Sequence, residues 1–147
     1  MASEQAVARG ISSTVVITTD KGCLDLDYIH TYLSEQSYWA RGRSRADVEK
    51  SILHSLCFGV YVDGHQVGFA RVITDYTLLA WLADVFIDER TRGRGLGKRL
   101  IETIVNHPEL REIRRFMLAT SDAHELYRRY GFDDLSHRDR LMARIRN

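Results

Sequence analysis

Three glycines and three basic residues fall within seven positions, Arg92 to Lys98 (RGRGLGK). An apolar run from Leu78 to Ile87 precedes this segment, and apolar residues at helical spacing follow it until Pro108. The pattern predicts a strand buried on both faces, a glycine-rich turn and a helix. At such a turn, backbone N–H groups and the positive end of the helix dipole converge, and glycine lets an anion approach the backbone. The segment therefore predicts a phosphate-binding site.

Two familiar phosphate loops do not fit these residues. A Walker A loop has Ser or Thr after Gly-Lys, whereas Arg99 follows Lys98, and Arg92 occupies its first glycine position. The dinucleotide fingerprint G-x-G-x-x-G fails because Gly97 comes one residue too early. A third interpretation is an arginine- and glycine-rich tract that binds nucleic acid, which the net charge of +1 disfavours.

The composition predicts one domain over residues 1–147, since the chain is 44% hydrophobic and 28% charged and has no linker or repeat. Cys23 and Cys57 are too few and too far apart for a disulfide framework or a metal site. The N-terminal residues lack the apolar core of a signal peptide, and no apolar run is long enough to cross a membrane. These features favour a cytoplasmic protein.

Hydrophobic periodicity predicts a mixed α/β (α+β) fold, in which a hairpin-rich first half precedes a βαβ crossover. Asp25 is the predicted N-cap of a helix that has Leu26, Ile29 and Leu33 on one face. Ser44 is the predicted N-cap of a second helix, whose inward residues are Val48, Ile52, Leu53 and Leu56. Two further helices are expected over 95–106 and 122–130. The predicted strands are Thr14–Thr19, Cys57–Val62, Gln66–Thr74, Leu78–Ile87 and Arg115–Ala119, with an irregular tail ending Leu141–Ile145.

Arg92, Gly95 and Gly97 match the pattern Arg/Gln-x-x-Gly-x-Gly/Ala, which resembles the acetyl-CoA pyrophosphate loop of the GNAT N-acetyltransferase superfamily. The strand ending Val85-Phe86-Ile87 and the series Ala123, Tyr127, Gly131, Phe132 strengthen the resemblance, which is closest from Phe58 to Phe132. It implies a mostly antiparallel sheet that splays at the coenzyme site and is flanked by about four helices. It also implies acetyl transfer to a primary amine of a small molecule or peptide, by direct attack in a ternary complex.

The resemblance implies acetyl-CoA as co-substrate and no metal. The phosphates would be bound by the loop residues Arg92, Gly93, Arg94, Gly95, Leu96, Gly97 and Lys98. Backbone groups of Val85 and Ile87 would pair with the pantetheine arm, and an N–H near Val85 or Phe86 would donate to the thioester carbonyl. Many members have asparagine where this chain has Thr120, so Ser121 or Asp122 is expected to supply that coenzyme contact.

Tyr127 matches the family tyrosine that protonates the departing thiolate. A phenol with a pKa of about 10 is protonated at neutral pH, as a general acid must be. Its alternative role is packing, which Tyr130 and Phe132 could share. Asp84 is the charged residue within the apolar strand, and burial would raise its pKa towards that of a general base. Alternatively, Asp84 pairs with an arginine such as Arg71 or binds the substrate ammonium, and the base is Asp75, His30 or a water chain.

The acceptor site is expected across the sheet from the coenzyme, beside the loop SYWARGR. Two arginines in one loop could bind a carboxylate or phosphate, and Trp39 could either stack on the acceptor or pack in the core. The candidate residues are Tyr38, Trp39, Arg41, Arg43, Arg71, Asp75 and Trp81. The expected partner is an amine acceptor, with no nucleic acid or membrane, and the resemblance makes a homodimer plausible. A coenzyme-A-binding sensor without turnover is the alternative function.

Overall fold

The computed structural model describes residues 13–146, which contain one five-stranded sheet whose spatial order follows the sequence. Neighbouring strands pair antiparallel except for the last, which runs parallel to the fourth. This arrangement confirms the predicted mixed, mostly antiparallel sheet. The strands are β1 (Val15–Thr18), β2 (Leu56–Val62), β3 (His65–Thr74), β4 (Leu79–Ile87) and β5 (Arg115–Leu118).

Within the described residues four α-helices flank this sheet. The predicted N-caps are confirmed, because the Asp25 side chain accepts from the backbone N–H of Tyr28 and the Ser44 side chain from that of Asp47. The expectation that Leu53 points inward is wrong: it is the last residue of its helix and is 68% exposed. The helices are α1 (Leu26–Thr31, continued by a π-helical turn Tyr32–Gln36), α2 (Arg45–Leu53), α3 (Leu96–Val105) and α4 (His124–Arg128).

Each face of the sheet has its own apolar core. Below α3, the side chains of Leu100, Ile101 and Ile104 pack against β2, β3 and the first half of β4. On the other face, α1 and α2 cover a cluster that includes Phe69 and Phe86. The hairpin between β2 and β3 turns through Asp63-Gly64, both at positive φ, and β3 begins at His65, one residue earlier than the sequence predicts.

The sheet splays between β4 and β5. The two strands pair only from Leu79 opposite Arg115 to Leu82 opposite Leu118, whereas β4 continues to Ile87 beside β3. Among residues 13–146, nothing pairs with the side of β4 that faces away from β3 after Leu82, as the resemblance implies. The expectation that β4 is buried on both faces is wrong, because Leu79 is exposed, the residues after it alternate between buried and half-buried, and the far half of β4 borders this opening.

A bulge at Asp84 interrupts β4. Arg71 lies opposite Ala83 and Phe69 opposite Phe86, so Ala70 faces two residues of β4. Asp84 has a φ of 54°, in the left-handed region that Asp tolerates better than most residues. A regular strand would direct residues 82 and 86 to one face, yet Leu82 packs below α3 and Phe86 below α1. The bulge thus reverses the face of every later residue of β4.

The described part of the tail after Phe132, up to residue 146, contains a 3₁₀ turn at Arg138–Arg140 and no strand. Leu141, Met142 and Ile145 are exposed. No helix among residues 13–146 is long and apolar enough to cross a membrane.

Candidate active site

A cleft of about 530 Å³ opens where β4 and β5 separate. Its walls come from the loop between α1 and α2, from β3 and β4, and from the segment between β5 and α4. Nine residues that the sequence predicts for the site line this cleft: Tyr38, Trp39, Arg43, Arg71, Trp81, Asp84, Val85, Asp122 and Tyr127. The structure therefore brings most of the predicted acceptor residues and both predicted catalytic residues into one cavity, together with Val85 and Asp122 of the predicted coenzyme residues.

The Asp84 carboxylate accepts three hydrogen bonds on the side of the cleft where the acceptor is expected. Its Oδ2 accepts from Arg71 Nε at 2.6 Å and from Arg43 Nη1 at 2.8 Å, and its Oδ1 accepts from Trp39 Nε1 at 2.9 Å. The Asp84 side chain is only 2% exposed. The bulge makes this possible, because it directs Asp84 to the side of β4 that α1 and α2 cover.

The sequence-based expectation of a raised pKa at Asp84 is wrong. Burial does raise the pKa of this carboxyl, but the hydrogen bond and charge of Arg71, the charge of Arg43 and the hydrogen bond from Trp39 together lower it. Asp84 is therefore ionised and fully engaged, and the alternative of a pair with Arg71 is confirmed. Trp39 is 39% exposed and anchored to this carboxylate, so it is not a core residue.

Three of the residues predicted for the acceptor site or as the base lie outside the cleft lining. Arg41 is exposed and donates to the carbonyl of Glu35. The Asp75 carboxylate accepts from the backbone N–H groups of three residues of the turn before β4, which lower its pKa. His30 contacts the carbonyl of Arg43 through Nε2 at 3.1 Å. Asp75 and His30 therefore act as local structural groups, and neither adjoins the opening beside β4.

Tyr127 is 8% exposed and packs edge-on against Phe132, with a ring-centroid distance of 5.8 Å. Its ring lines the cleft beside Val85 and Asp122. Burial, followed by the negative charge of Asp122, raises the pKa of Tyr127 to about 12. The phenol is consequently protonated throughout the neutral range, which suits a proton donor.

The glycine-rich segment forms the turn from the end of β4 into α3. Gly93 and Gly95 have φ of 85° and 75°, and no atom of the described part of the chain lies within 4 Å of a Cβ built on either residue. Gly95 is the N-cap of α3. Among the described residues, the backbone N–H groups from Gly93 to Lys98 have no acceptor, whereas Arg99 already donates to Gly95. An anion can therefore approach a row of free donors at a helix N-terminus.

The Arg92 side chain turns away from these donors. Its Nε donates to the carbonyl of Ile87 and its Nη2 to the Tyr32 hydroxyl, both at 3.1 Å. The carbonyl of Ile87 is thus already occupied, although the resemblance assigns Ile87 to the pantetheine arm. Tyr32 was not predicted for the site, because nothing in its local pattern distinguishes it from other core aromatics.

Two further contacts shape the cleft, and no pattern in the sequence indicates either of them. The Tyr38 hydroxyl accepts from the backbone N–H of Ser121 at 3.1 Å, which joins the two loops across the cleft. Thr120 Oγ1 accepts from the backbone N–H groups of Asp122 and Ala123, so it holds the segment before α4. No three His, Cys, Asp or Glu residues in the described part of the chain are grouped to hold a metal ion.

Comparisons with known proteins agree on one family. The model of the acetyltransferase (GNAT) family matches residues 26–132. The spermine/spermidine N(1)-acetyltransferase of Bacillus subtilis is 30% identical over 128 residues, which cover 79% of this chain and 84% of that protein. A crystal structure of a GNAT-family protein from Xanthomonas campestris is 49% identical, has a TM-score of 0.87, and covers 90% of this chain and 93% of its own.

A solved structure of lower sequence identity has the same fold as this chain. An aminoglycoside N-acetyltransferase in complex with CoA has a TM-score of 0.62 at 19% identity, with 92% of this chain and 97% of that one covered. Its agreement with this chain concerns the architecture alone. Together with the splayed sheet and the open glycine-rich turn, the family match establishes that this chain is an acetyltransferase that belongs to the GNAT family.

Proposed function

We propose that the protein is an acetyl-CoA-dependent N-acetyltransferase that transfers the acetyl group to a primary amine of a small molecule or peptide. The single observation that carries the proposal is the unpaired half of β4, which has the free N–H groups of Gly93–Lys98 beyond its end and Tyr127 beside it. Acetyl-CoA has a matching extended shape, with phosphates at one end and a thioester at the other.

The residues of the chain fit this co-substrate. The N–H groups of Gly93–Lys98 would bind the pyrophosphate, because these six consecutive donors have no acceptor among the described residues and the space beyond Gly93 and Gly95 is open. Val85 lies in the bulge and beyond the end of β5, so its backbone is available to the pantetheine arm and the thioester carbonyl. The bound co-substrate supplies an activated acetyl group, and the protein orients it.

The reaction needs proton transfers at the acceptor nitrogen and at the coenzyme sulfur. The amine nitrogen attacks the acetyl carbon directly, the C–S bond breaks, and Tyr127 donates its hydroxyl proton to the departing sulfur. One proton of the acceptor ammonium leaves before the attack, a second leaves the nitrogen to solvent as the amide forms, and solvent later returns a proton to Tyr127. The net products are the acetylated amine, the free thiol of coenzyme A and one proton.

We assign no side chain of the cleft as the general base. Asp84 accepts three hydrogen bonds from cationic or N–H donors, and its lowered pKa makes it a weak base. Water in the open cleft is the simplest acceptor for the ammonium proton, because the cleft communicates with solvent.

Two measurements test the proposal. Thermal unfolding with acetyl-CoA, with ATP and NAD as controls, should show a shift with acetyl-CoA alone. At about a hundred times its dissociation constant, a ligand stabilises by roughly 2.7 kcal/mol. Release of free thiol from acetyl-CoA should then depend on an added amine. An equal shift with ATP, or thiol release that ignores the amine, would exclude the proposed function.

A further inference from the structure

We propose that the acceptor is a primary amine that also carries an oxyanion, and that Arg43 and Arg71 bind this oxyanion. The shared chemistry is that of a carboxylate or a phosphate. This inference rests on the proposed N-acetyltransferase function and adds the class of amine.

The first argument is the charge of the Asp84 cluster. One carboxylate faces two guanidinium groups, so one positive charge remains uncompensated within the cluster. The Asp84 side chain is 2% exposed, whereas those of Arg43 and Arg71 are 26% and 13% exposed. The negative charge is therefore buried, and the positive charge is the one that reaches the cleft.

The second argument is the set of donors that the arginines leave free. Arg43 uses only Nη1 towards Asp84, and Arg71 uses Nε towards Asp84 and Nη1 towards Ser55. Within residues 13–146, Nε and Nη2 of Arg43 and Nη2 of Arg71 have no acceptor, and none of them is fully buried. Guanidinium N–H groups match the oxygens of carboxylate and phosphate. An oxyanion could bind there without breaking a bond to Asp84.

The third argument is the position of the opposite charge. Asp122 is exposed and lines the same cleft on the far side of β4, and its charge raises the pKa of Tyr127. The cleft thus has cations near β3 and an anion near the predicted proton donor. A molecule with an amine at one end and an oxyanion at the other would direct its amine towards Tyr127, where the acetyl group is transferred.

A polyamine fits this arrangement poorly. Each of its amines is a cation at neutral pH, so one of them would face Arg43 and Arg71. Asp84 cannot offset that charge, because its single negative charge already faces two guanidinium groups and the cluster stays positive. We therefore expect this protein to differ in acceptor from its Bacillus subtilis relative, whose name refers to spermine and spermidine.

Matched pairs of amines test the inference with the wild-type protein. Thiol release is measured with 2-aminoethyl phosphate against ethanolamine, with 4-aminobutyrate against its methyl ester, and with spermidine. We expect the anionic member of at least one pair to have about tenfold higher kcat/KM, as a charge-assisted hydrogen bond would give. The favoured pair distinguishes phosphate from carboxylate.

The other possible results contradict either the inference about the acceptor or the proposed function. The inference would be overturned, and the N-acetyltransferase function left intact, if spermidine or the amines without an oxyanion had a kcat/KM equal to that of both amines with one. A thermal shift with acetyl-CoA but no turnover of any of these amines would also overturn it. No shift and no turnover would refute the proposed function itself, and the inference with it.

The variant Arg43→Gln assigns the effect to a residue. It should lower the preference for the anionic amine about tenfold, mainly through KM. Arg45→Gln is the matched control, because it removes the same charge two positions away, where Arg45 pairs with Asp27 on the surface. An equal loss of preference in both variants would refute a role for Arg43. If Arg43→Gln does not fold, the matched amines assayed with the wild-type protein still test the inference.

Discussion

Replacing Asp84 by Asn distinguishes a carboxylate that holds the cleft together from one that takes a proton from the acceptor. In the wild type its oxygens accept from Arg71, Arg43 and Trp39 at 2.6, 2.8 and 2.9 Å. Asparagine keeps one oxygen and replaces the other with an NH₂ group, which cannot accept a hydrogen bond. The variant therefore leaves two partly buried guanidinium groups without a counter-charge.

The expected loss of stability follows from this burial. Removing one partner of a buried ion pair typically costs about 3–5 kcal/mol. We expect a value near the lower end, about 3 kcal/mol, because Arg43 is 26% exposed and water relieves part of its charge. With a urea m-value of about 2 kcal/mol/M, the midpoint of unfolding should fall by about 1.5 M.

The pH dependence provides an independent check. Burial raises the pKa of Asp84, but Arg71, Arg43 and Trp39 lower it by more, so the folded value lies below the unfolded one. The stabilisation by Asp84 is then complete above the unfolded value of about 3.9 and is lost as the pH falls through the folded value. The difference between wild type and Asp84→Asn in urea unfolding should be full at neutral pH and smaller at about pH 3.

A control variant and two possible results distinguish a structural role of Asp84 from a role as general base. Asp27→Asn removes an exposed carboxylate that pairs with Arg45, and it should leave the urea midpoint nearly unchanged. An unchanged midpoint in Asp84→Asn would refute the structural role of the cluster. Loss of the acidic limb of kcat/KM, with normal stability, would instead identify Asp84 as the general base.

Three further substitutions test the proton donor, the phosphate site and the packing. Tyr127→Phe should lower kcat by roughly a hundredfold and keep acetyl-CoA affinity within severalfold; an unchanged kcat would mean that water protonates the thiolate. Gly95→Glu should abolish the thermal shift with acetyl-CoA, because it introduces a negative charge and a side chain at a φ of 75°; a wild-type shift would contradict the loop assignment. Tyr61→Phe should raise the unfolding free energy by about 1 kcal/mol, since the Tyr61 hydroxyl is buried and has no partner among the described residues; a lower urea midpoint would show that this hydroxyl has a partner.

The sequence predicts the glycine-rich turn and its flanking elements well, because the signals there are local. Glycine at positive φ, an apolar strand and helical periodicity each depend on a few adjacent residues. The acceptor loop is different. Arg41 and Arg43 are the same residue type two positions apart, yet one lies on the surface and the other contacts Asp84, 41 residues along the chain. Only the fold decides which of them reaches the cleft.

The bulge at Asp84 could not be predicted for the same reason, since it depends on the register between β3 and β4. The sequence does show an acidic residue in an apolar strand, which a buried strand tolerates only with a partner. The error lay in the consequence drawn from burial. A buried carboxyl has a raised pKa when it is isolated, but here Arg71, Arg43 and Trp39 outweigh the cost of burial.

The bulge connects the two halves of the proposed reaction. Because it reverses the faces of β4, Val85 packs on the side of α3, while Asp84 reaches Arg43 and Arg71 on the side of α1 and α2. One local distortion therefore sets both the backbone that would hold the thioester and the charge that would select the acceptor. Acceptor preference can then change through the arginines alone, without any change in the turn that would bind the coenzyme.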